Sequence, residues 1–169
     1  MARIVIETQT VAGIPVLAIL PETAHRLPLV FYVPGYTSAK ETGLSLGYKL
    51  AQRGCCFVAF DPLFHGERFE RQLYEAADPA LGGIYPPETG LDVGITFYRV
   101  IGQCLADVRT LLDHFGGDER VDTARCAVTG PSMGGYASFL IFANMPQMRA
   151  AVPMVGIPTF TRRWTDLLD

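Results

Sequence analysis

The chain has 169 residues, 49% of them apolar and 18% charged, with 14 basic against 17 acidic side chains for a net charge of −3. A chain this apolar builds a core, which excludes disorder, and its length suits one domain. Without a basic excess to neutralise phosphates, nucleic acid is a poor partner.

In chain order, Arg3 to Thr8 is rich in Ile and Val and reads as a strand. Ile14 to Leu20 is a second strand, with Val11-Ala12-Gly13 as the hairpin turn between them. The continuous apolar run Leu29 to Val33 fits a strand buried on both faces, as in a parallel sheet. After the turn Pro34-Gly35, a helix is predicted from about Lys40 to Arg53, closed by Gly54. Cys55 to Phe60 is another buried strand and ends at Asp61-Pro62. Prolines and glycines then punctuate residues 63–94, which read as a surface excursion with a short helix near Glu70 to Ala77. Val100/Ile101, Cys104/Leu105, Val108, Leu111/Leu112 and Phe115 recur every three or four residues. That is one face of a helix from about Ile95 to Phe115, ended by Gly116-Gly117. Arg125 to Thr129 reads as a strand, Met133 to Asn144 as a helix stopped at Pro146, and Ala150 to Val155 as a strand. Gly156 to Asp169 reads as a loop entering a polar helix with Arg162, Arg163 and Trp164.

A β-hairpin followed by alternating strands and helices predicts an α/β fold, a mainly parallel sheet with helices on both faces. In such sheets the active residues follow the carboxyl ends of strands, here Val33, Phe60, Thr129 and Val155. Four cysteines (Cys55, Cys56, Cys104, Cys126) form no Cys-x-x-Cys pair and read as buried free thiols in a reducing compartment. Met1-Ala2-Arg3-Ile4 lacks the layout of a signal peptide, and no apolar run approaches the roughly 20 residues that span a bilayer. The expectation is a soluble, cytoplasmic protein with no membrane partner, no metal and no cofactor.

Gly130-Pro131-Ser132-Met133-Gly134-Gly135 is a Gly-x-Ser-x-Gly sequence between a strand and a helix, the context of a nucleophile elbow. Gly130 and Gly134 are the small residues needed where strand and helix come very close. The helix start behind the serine offers unpaired N–H groups and a positive dipole end to a developing oxyanion.

With this motif the chain resembles the α/β-hydrolase superfamily. The branch it is most similar to holds the compact serine esterases related to dienelactone hydrolases and prolyl-oligopeptidase catalytic domains. Phe31-Tyr32-Val33-Pro34-Gly35-Tyr36-Thr37-Ser38 resembles the oxyanion loop, and Asp61-Pro62-Leu63-Phe64-His65-Gly66-Glu67-Arg68 resembles the turn after the fourth strand. The resemblance implies Ser132 as nucleophile, with an oxyanion hole made by the backbone N–H groups of Tyr36 and Met133. Where many members have His-Gly in the oxyanion loop, this chain has Pro34-Gly35. The proposed donor is a backbone group one residue later, so Pro34 leaves it intact.

The family's chain order is serine, then acid, then histidine. Here His25, His65 and His114 all precede Ser132. His65 lies at a strand's carboxyl end, but its motif resembles a structural turn in the family. His25 and His114 read as surface residues, as do Asp166 and Asp169. The chain therefore reads as one incomplete hydrolase domain that stops before the acid and the histidine. The implied activity is cleavage of a small-molecule carboxylic ester through an acyl-enzyme on Ser132, this stretch alone having little or no turnover. The alternatives are a peptidase or thioesterase of the same fold, or a non-catalytic hydrolase-like binding domain. Phe64, Phe69, Tyr74 and Tyr85 in the excursion are candidates for an acyl-pocket wall or for loop aromatics packed on the core.

Overall fold

Alternating apolar side chains in the central strands make two cores, one on each face of a sheet, and that division organises the molecule. The structure, a computed structural model, describes residues 3–22, 25–70 and 92–156. It contains a six-stranded sheet in the order β1-β2-β4-β3-β5-β6. The strands are β1 Ile4–Val11, β2 Ile14–Pro21, β3 Leu27–Tyr32, β4 Cys56–Phe60, β5 Val121–Pro131 and β6 Met148–Met154. The helices are α1 Leu44–Ala51, α2 Asp92–Phe115 and α3 Met133–Asn144. β2 runs antiparallel to β1 and β4, while β4, β3, β5 and β6 are mutually parallel. The expected α/β fold is present, including its antiparallel start.

The hairpin closes on Ala12 and Gly13, at φ 49° and 80°, with Val11 paired to Ile14. Two positive φ angles in a two-residue loop match the right-handed twist of the flanking strands. In β3 and β4, Leu29, Phe31, Cys56, Val58 and Phe60 face the core shared with α2 and α3. Tyr32, Phe57 and Ala59 face the smaller core under α1. Every residue of β2 and β4 is buried. The apolar stripe of α2 lies against the first core, with Ile101 and Leu111 fully buried. Each such side chain contributes about 1.5–3 kcal/mol relative to exposure.

Several boundaries differ from the sequence expectation. The predicted helix over Lys40 to Arg53 is a 3-10 turn, Lys40–Gly43, followed by α1. The Schellman-type ending at Gly54 is present: the Cys55 N–H donates to Leu50 O at 3.2 Å and the Gly54 N–H to Ala51 O at 3.0 Å. α2 begins at Asp92, inside the stretch read as excursion. β5 begins at Val121 rather than Arg125, because its register against β3 jumps from Pro28↔Asp122 to Leu29↔Cys126. The residues passed over in that jump break the apolar pattern. β6 runs two residues earlier at its start than the expected Ala150. The predicted short helix near Glu70 to Ala77, Tyr74 and Tyr85, and the tail with Arg162, Arg163, Trp164, Asp166 and Asp169 lie outside the described residues. Among the described residues no helix is long and apolar enough to cross a membrane.

Candidate active site

β5 delivers the chain to the carboxyl edge of the sheet, where Ser132 separates the strand from α3. Its backbone, at φ 51° and ψ −115°, belongs to neither element. The Ser132 N–H donates to Met154 O of β6 at 2.8 Å, while its carbonyl accepts from the N–H groups of Gly135 (2.8 Å) and Tyr136 (3.1 Å). One residue thus ends a sheet ladder and starts a helix, and its side chain is exposed. A non-glycine residue held so far from the populated regions costs about 1–3 kcal/mol, which the surroundings must offset.

Those surroundings are backbone. A Cβ on Gly130 or on Gly134 would overlap the same atom, the carbonyl oxygen of Val33 at the end of β3. A Cβ on Gly135 would stand 2.9 Å from Met154 O at the end of β6. Three strand ends and one helix start converge there, and only glycines leave room. Met133 follows Ser132 as the first, buried residue of α3. Its N–H belongs to the first turn, whose donors have no acceptor within the helix.

The loop after β3 runs beside this turn. An ideal Cβ on Gly35 would lie 3.6 Å from Pro131 O and 4.0 Å from Ser132 Cβ. Gly35 to Ser38 form a turn closed by the Ser38 N–H on Gly35 O at 3.1 Å. Thr37 is left-handed at φ 64°, while Tyr36 is not among the left-handed residues. The half-buried Tyr36 ring meets the His65 ring edge-on at 5.3 Å and the Phe97 ring at 5.6 Å. Phe97 in turn meets Tyr136 of α3 at 5.8 Å. Tyr36, Phe97 and Tyr136 thus form an aromatic group beside the serine turn. Phe97 continues the apolar stripe of α2 one turn before Val100/Ile101 and packs against the same core, so the helical spacing places it on that face although the periodicity read from the sequence starts only at Val100. Of the excursion aromatics, Phe64 packs against the core and Phe69 is 50% exposed.

His65 is buried, and both ring nitrogens are engaged. Nε2 lies 3.0 Å from the Thr37 N–H and Nδ1 lies 2.7 Å from Leu63 O. An amide can only donate, so Nε2 accepts, and the ring proton is on Nδ1, donating to the carbonyl. Burial pushes the imidazole below its ordinary pKa; the Leu63 carbonyl and the Asp61 charge work against this, and Arg68 adds to it. His65 is therefore a neutral pin between two loops. His25 is exposed just before β3, and His114 is exposed at the end of α2, one element before β5 begins. Both lie at the amino edge of the parallel strands, opposite Ser132.

The loop after β4 is tied down by buried charge, which composition did not reveal. Asp61 is fully buried and accepts from the Lys40 backbone N–H (2.8 Å), Lys40 Nζ (2.8 Å) and the Glu67 N–H (3.0 Å). Burial works to lower the pKa of the Lys40 ammonium, but its hydrogen bonds with Asp61, Glu67 and Glu41 outweigh that and raise it. Gly66, at φ 51°, sits where a Cβ would overlap the Asp61 carboxylate. Arg68 donates to Asp107 of α2 at 2.6 Å and to Asp61 O at 3.2 Å. The Asp61-to-Arg68 motif therefore fastens three elements around the edge that carries Ser132.

Known proteins resemble this chain in sequence and in fold. No family model matches the chain. It is 33% identical over 166 residues to "Putative esterase YitV" of Bacillus subtilis (strain 168), covering 97% of this chain and 59% of the relative. It is 27% identical over 158 residues to esterase YjfP of Escherichia coli (strain K12), covering 92% of this chain and 57% of the relative. The chain thus spans less than two thirds of either relative's length. Among solved structures, "Putative Dienelactone Hydrolase" of Klebsiella pneumoniae superposes with a TM-score of 0.65 at 23% identity, covering 94% of this chain and 64% of that one. Acetyl xylan esterase 1 of Thermoanaerobacterium superposes with a TM-score of 0.61 at 21% identity, covering 90% and 52%.

Proposed function

We propose that this chain, which has the α/β-hydrolase fold and esterases among its relatives, is the nucleophile-bearing part of a serine hydrolase that cleaves carboxylic esters. One observation carries the reading: Ser132 is exposed at a left-handed strand-to-helix turn bracketed by Gly130 and Gly134 against Val33 O. In this reading Ser132 Oγ attacks the acyl carbonyl and forms the acyl–oxygen bond. A histidine supplied by polypeptide beyond residues 1–169, oriented by a carboxylate, takes the serine proton and passes it to the leaving alcohol. The N–H groups of Tyr36 and Met133 hold the tetrahedral oxyanion. Water then attacks the acyl-enzyme, with the histidine as base again, releasing the acid and restoring the serine. Tyr36, Phe97 and Tyr136 offer an apolar wall to a small-molecule ester. The greater length of both curated relatives supports a base outside this stretch.

A fluorophosphonate probe tests the reading, because it labels a serine that is already activated by a base and faces an oxyanion hole. The longer polypeptide should be labelled at Ser132, Ser132→Ala should abolish labelling and ester turnover, and residues 1–169 alone should turn over little or no aryl ester. A second reading, a non-catalytic hydrolase-like binding domain, is favoured by one fact. Neither His25 nor His114 lies at the serine's edge, and both nitrogens of His65 are occupied. A folded longer polypeptide that resists the probe would make that second reading the better one. Comparing matched ester, thioester and amide substrates separates an esterase from a thioesterase or peptidase of the same fold.

A further inference from the structure

We infer that His65 is a positioning residue for the loop beside Ser132, holding the Gly35–Ser38 turn, and with it Tyr36, in its observed conformation. The inference rests on the hydrolase reading above. In a four-residue turn, types I and II differ by a flip of the central peptide, and type II requires a positive φ at the third residue, a place for glycine or asparagine. Here the third residue is Thr37, at φ 64°. A β-branched residue there is an outlier that its own conformational preference does not sustain. The central peptide is the one between Tyr36 and Thr37, and its N–H is the group that His65 Nε2 accepts. His65 thus opposes the flip that would relax Thr37. The imidazole is itself fixed by the Nδ1–H bond to Leu63 O, in a loop anchored through Asp61 to Lys40. Tyr36 is held on three sides: by Thr37 on His65 after it, by Ser38 on Gly35 before it, and through its ring by His65 and Phe97. A Cβ added to Gly35 would stand 4.0 Å from Ser132 Cβ, so a change in the conformation of this turn is felt beside the serine.

The test uses the longer polypeptide and the variants His65→Leu, which fills similar space without an acceptor, and His65→Gln, whose carbonyl can still accept the Thr37 amide. His65→Leu should lower kcat on an aryl ester and the rate of fluorophosphonate labelling by about 10²–10³-fold, the loss of one oxyanion donor, with KM little changed. His65→Gln should recover most of that rate. Adding Thr37→Gly to His65→Leu should also recover rate, because glycine holds the turn without help. If the wild type is labelled at Ser132 and His65→Leu is labelled as fast, the inference is overturned. Failure of His65→Gln and of the added glycine to recover rate in folded protein overturns it too. A wild type that resists the probe sinks the hydrolase reading instead, and the Thr37 amide resonance then decides the positioning role. Loss of its deshielding and exchange protection in His65→Leu, with retention in His65→Gln, supports the role; an unchanged amide overturns it. If His65→Leu does not fold, the wild type and His65→Gln carry the same comparison: equal kcat and a deshielded Thr37 amide support the role, and a 10²-fold lower kcat in folded His65→Gln overturns it.

Discussion

The two edges of the parallel strands are built on different physics. At the carboxyl edge, Thr37, Phe64, Ser132 and Val155 follow β3, β4, β5 and β6, each a non-glycine residue with positive φ. The same edge holds the buried Lys40–Asp61 pair and the Arg68–Asp107 pair. At the amino edge Arg26 alone is left-handed among the described non-glycine residues, and the charges there sit in partly exposed pairs, Arg120 with Glu7 and Asp118, Arg125 with Asp122. Strain and buried charge gather where the candidate nucleophile is, and the opposite edge is relaxed. Strained residues persist only where surrounding contacts over-determine them. The Lys40–Asp61 and Arg68–Asp107 ion pairs, the first fully buried and the second partly so, supply such contacts, tying the loops after β3 and β4 to each other and to α2.

The largest effect should come from breaking that clamp. Asp61→Ala leaves the Lys40 ammonium buried without its main partner and takes the acceptor from two backbone N–H groups. Removing one member of a buried pair typically costs about 3–5 kcal/mol. Urea unfolding should show a loss of that size, little altered by salt. A loss under about 1 kcal/mol, the range of exposed pairs, would mean that the two edges do not differ in this respect.

Next comes the convergence on Val33 O. Gly134→Ala adds a methyl against backbone that cannot swing away, at the cost of about 1–3 kcal/mol usual for overpacking, and labelling of Ser132 should fall with it. Gly102→Ala on α2, where an added Cβ meets nothing within 4 Å, is the control. It should stabilise by about 0.5–1 kcal/mol, the helix-interior preference for alanine. Equal effects at the two positions would remove the argument for close approach at the serine turn.

Much of this contrast is legible in sequence, and the illegible part has a common cause. Strands β3 and β4 show as continuous apolar runs because both faces are covered, and α2 shows through its stripe. The serine turn is legible because its glycines and the serine lie within five residues. Lys40, by contrast, reads as an ordinary helix-start lysine, and two of the carboxylates that make its burial tolerable, Asp61 and Glu67, lie 21 and 27 residues on. Arg68 and Asp107 are separated by 39 residues, and neither carries a local signal of the other. The start of β5 is hidden by its register jump, where the period-2 pattern lapses. Phe97 and Tyr136 come together through tertiary packing of α2 on α3. Local chemistry is readable from local sequence, and the long-range ties that hold the strained edge are not.

The comparison also has a pH dependence. The native His65 has a pKa below the ordinary value near 6.5, first because it is buried, with Arg68 adding to the shift and the Leu63 carbonyl and Asp61 opposing it. The groups facing it are Asp61, Arg68, the uncharged Tyr36 ring and the Thr37 amide. Below pH 6.5 the unfolded chain takes up a proton that the native imidazole refuses. This contribution to stability is therefore complete above that pH and is lost on acidification, until the native pKa is reached. Urea midpoints measured from pH 8 to pH 5 should fall more steeply for the wild type than for His65→Gln. Parallel curves would show that burial does not hold the imidazole neutral.

The smallest effect belongs to the amino edge. Glu7 accepts from Arg120 through two bonds, Nη1 to Oε1 at 2.8 Å and Nη2 to Oε2 at 3.1 Å, with side chains 40% and 34% exposed. A forked pair in good geometry is the strongest form of surface ion pair, so it is a fair opponent for the buried clamp. Solvent still screens both partners, and Arg120 keeps Asp118 when Glu7 is gone. Glu7→Gln removes the charge and keeps the size, and should cost about 0.2–1 kcal/mol. The loss should shrink towards zero in 1 M salt, where the screening length is about 3 Å. The salt response separates the edges more sharply than the magnitude does. A buried pair excludes the ions that screen an exposed one, so the Asp61→Ala loss should survive the same salt. If the Glu7→Gln loss persists at 1 M salt while the Asp61→Ala loss fades, the assignment of rigid and relaxed edges is reversed.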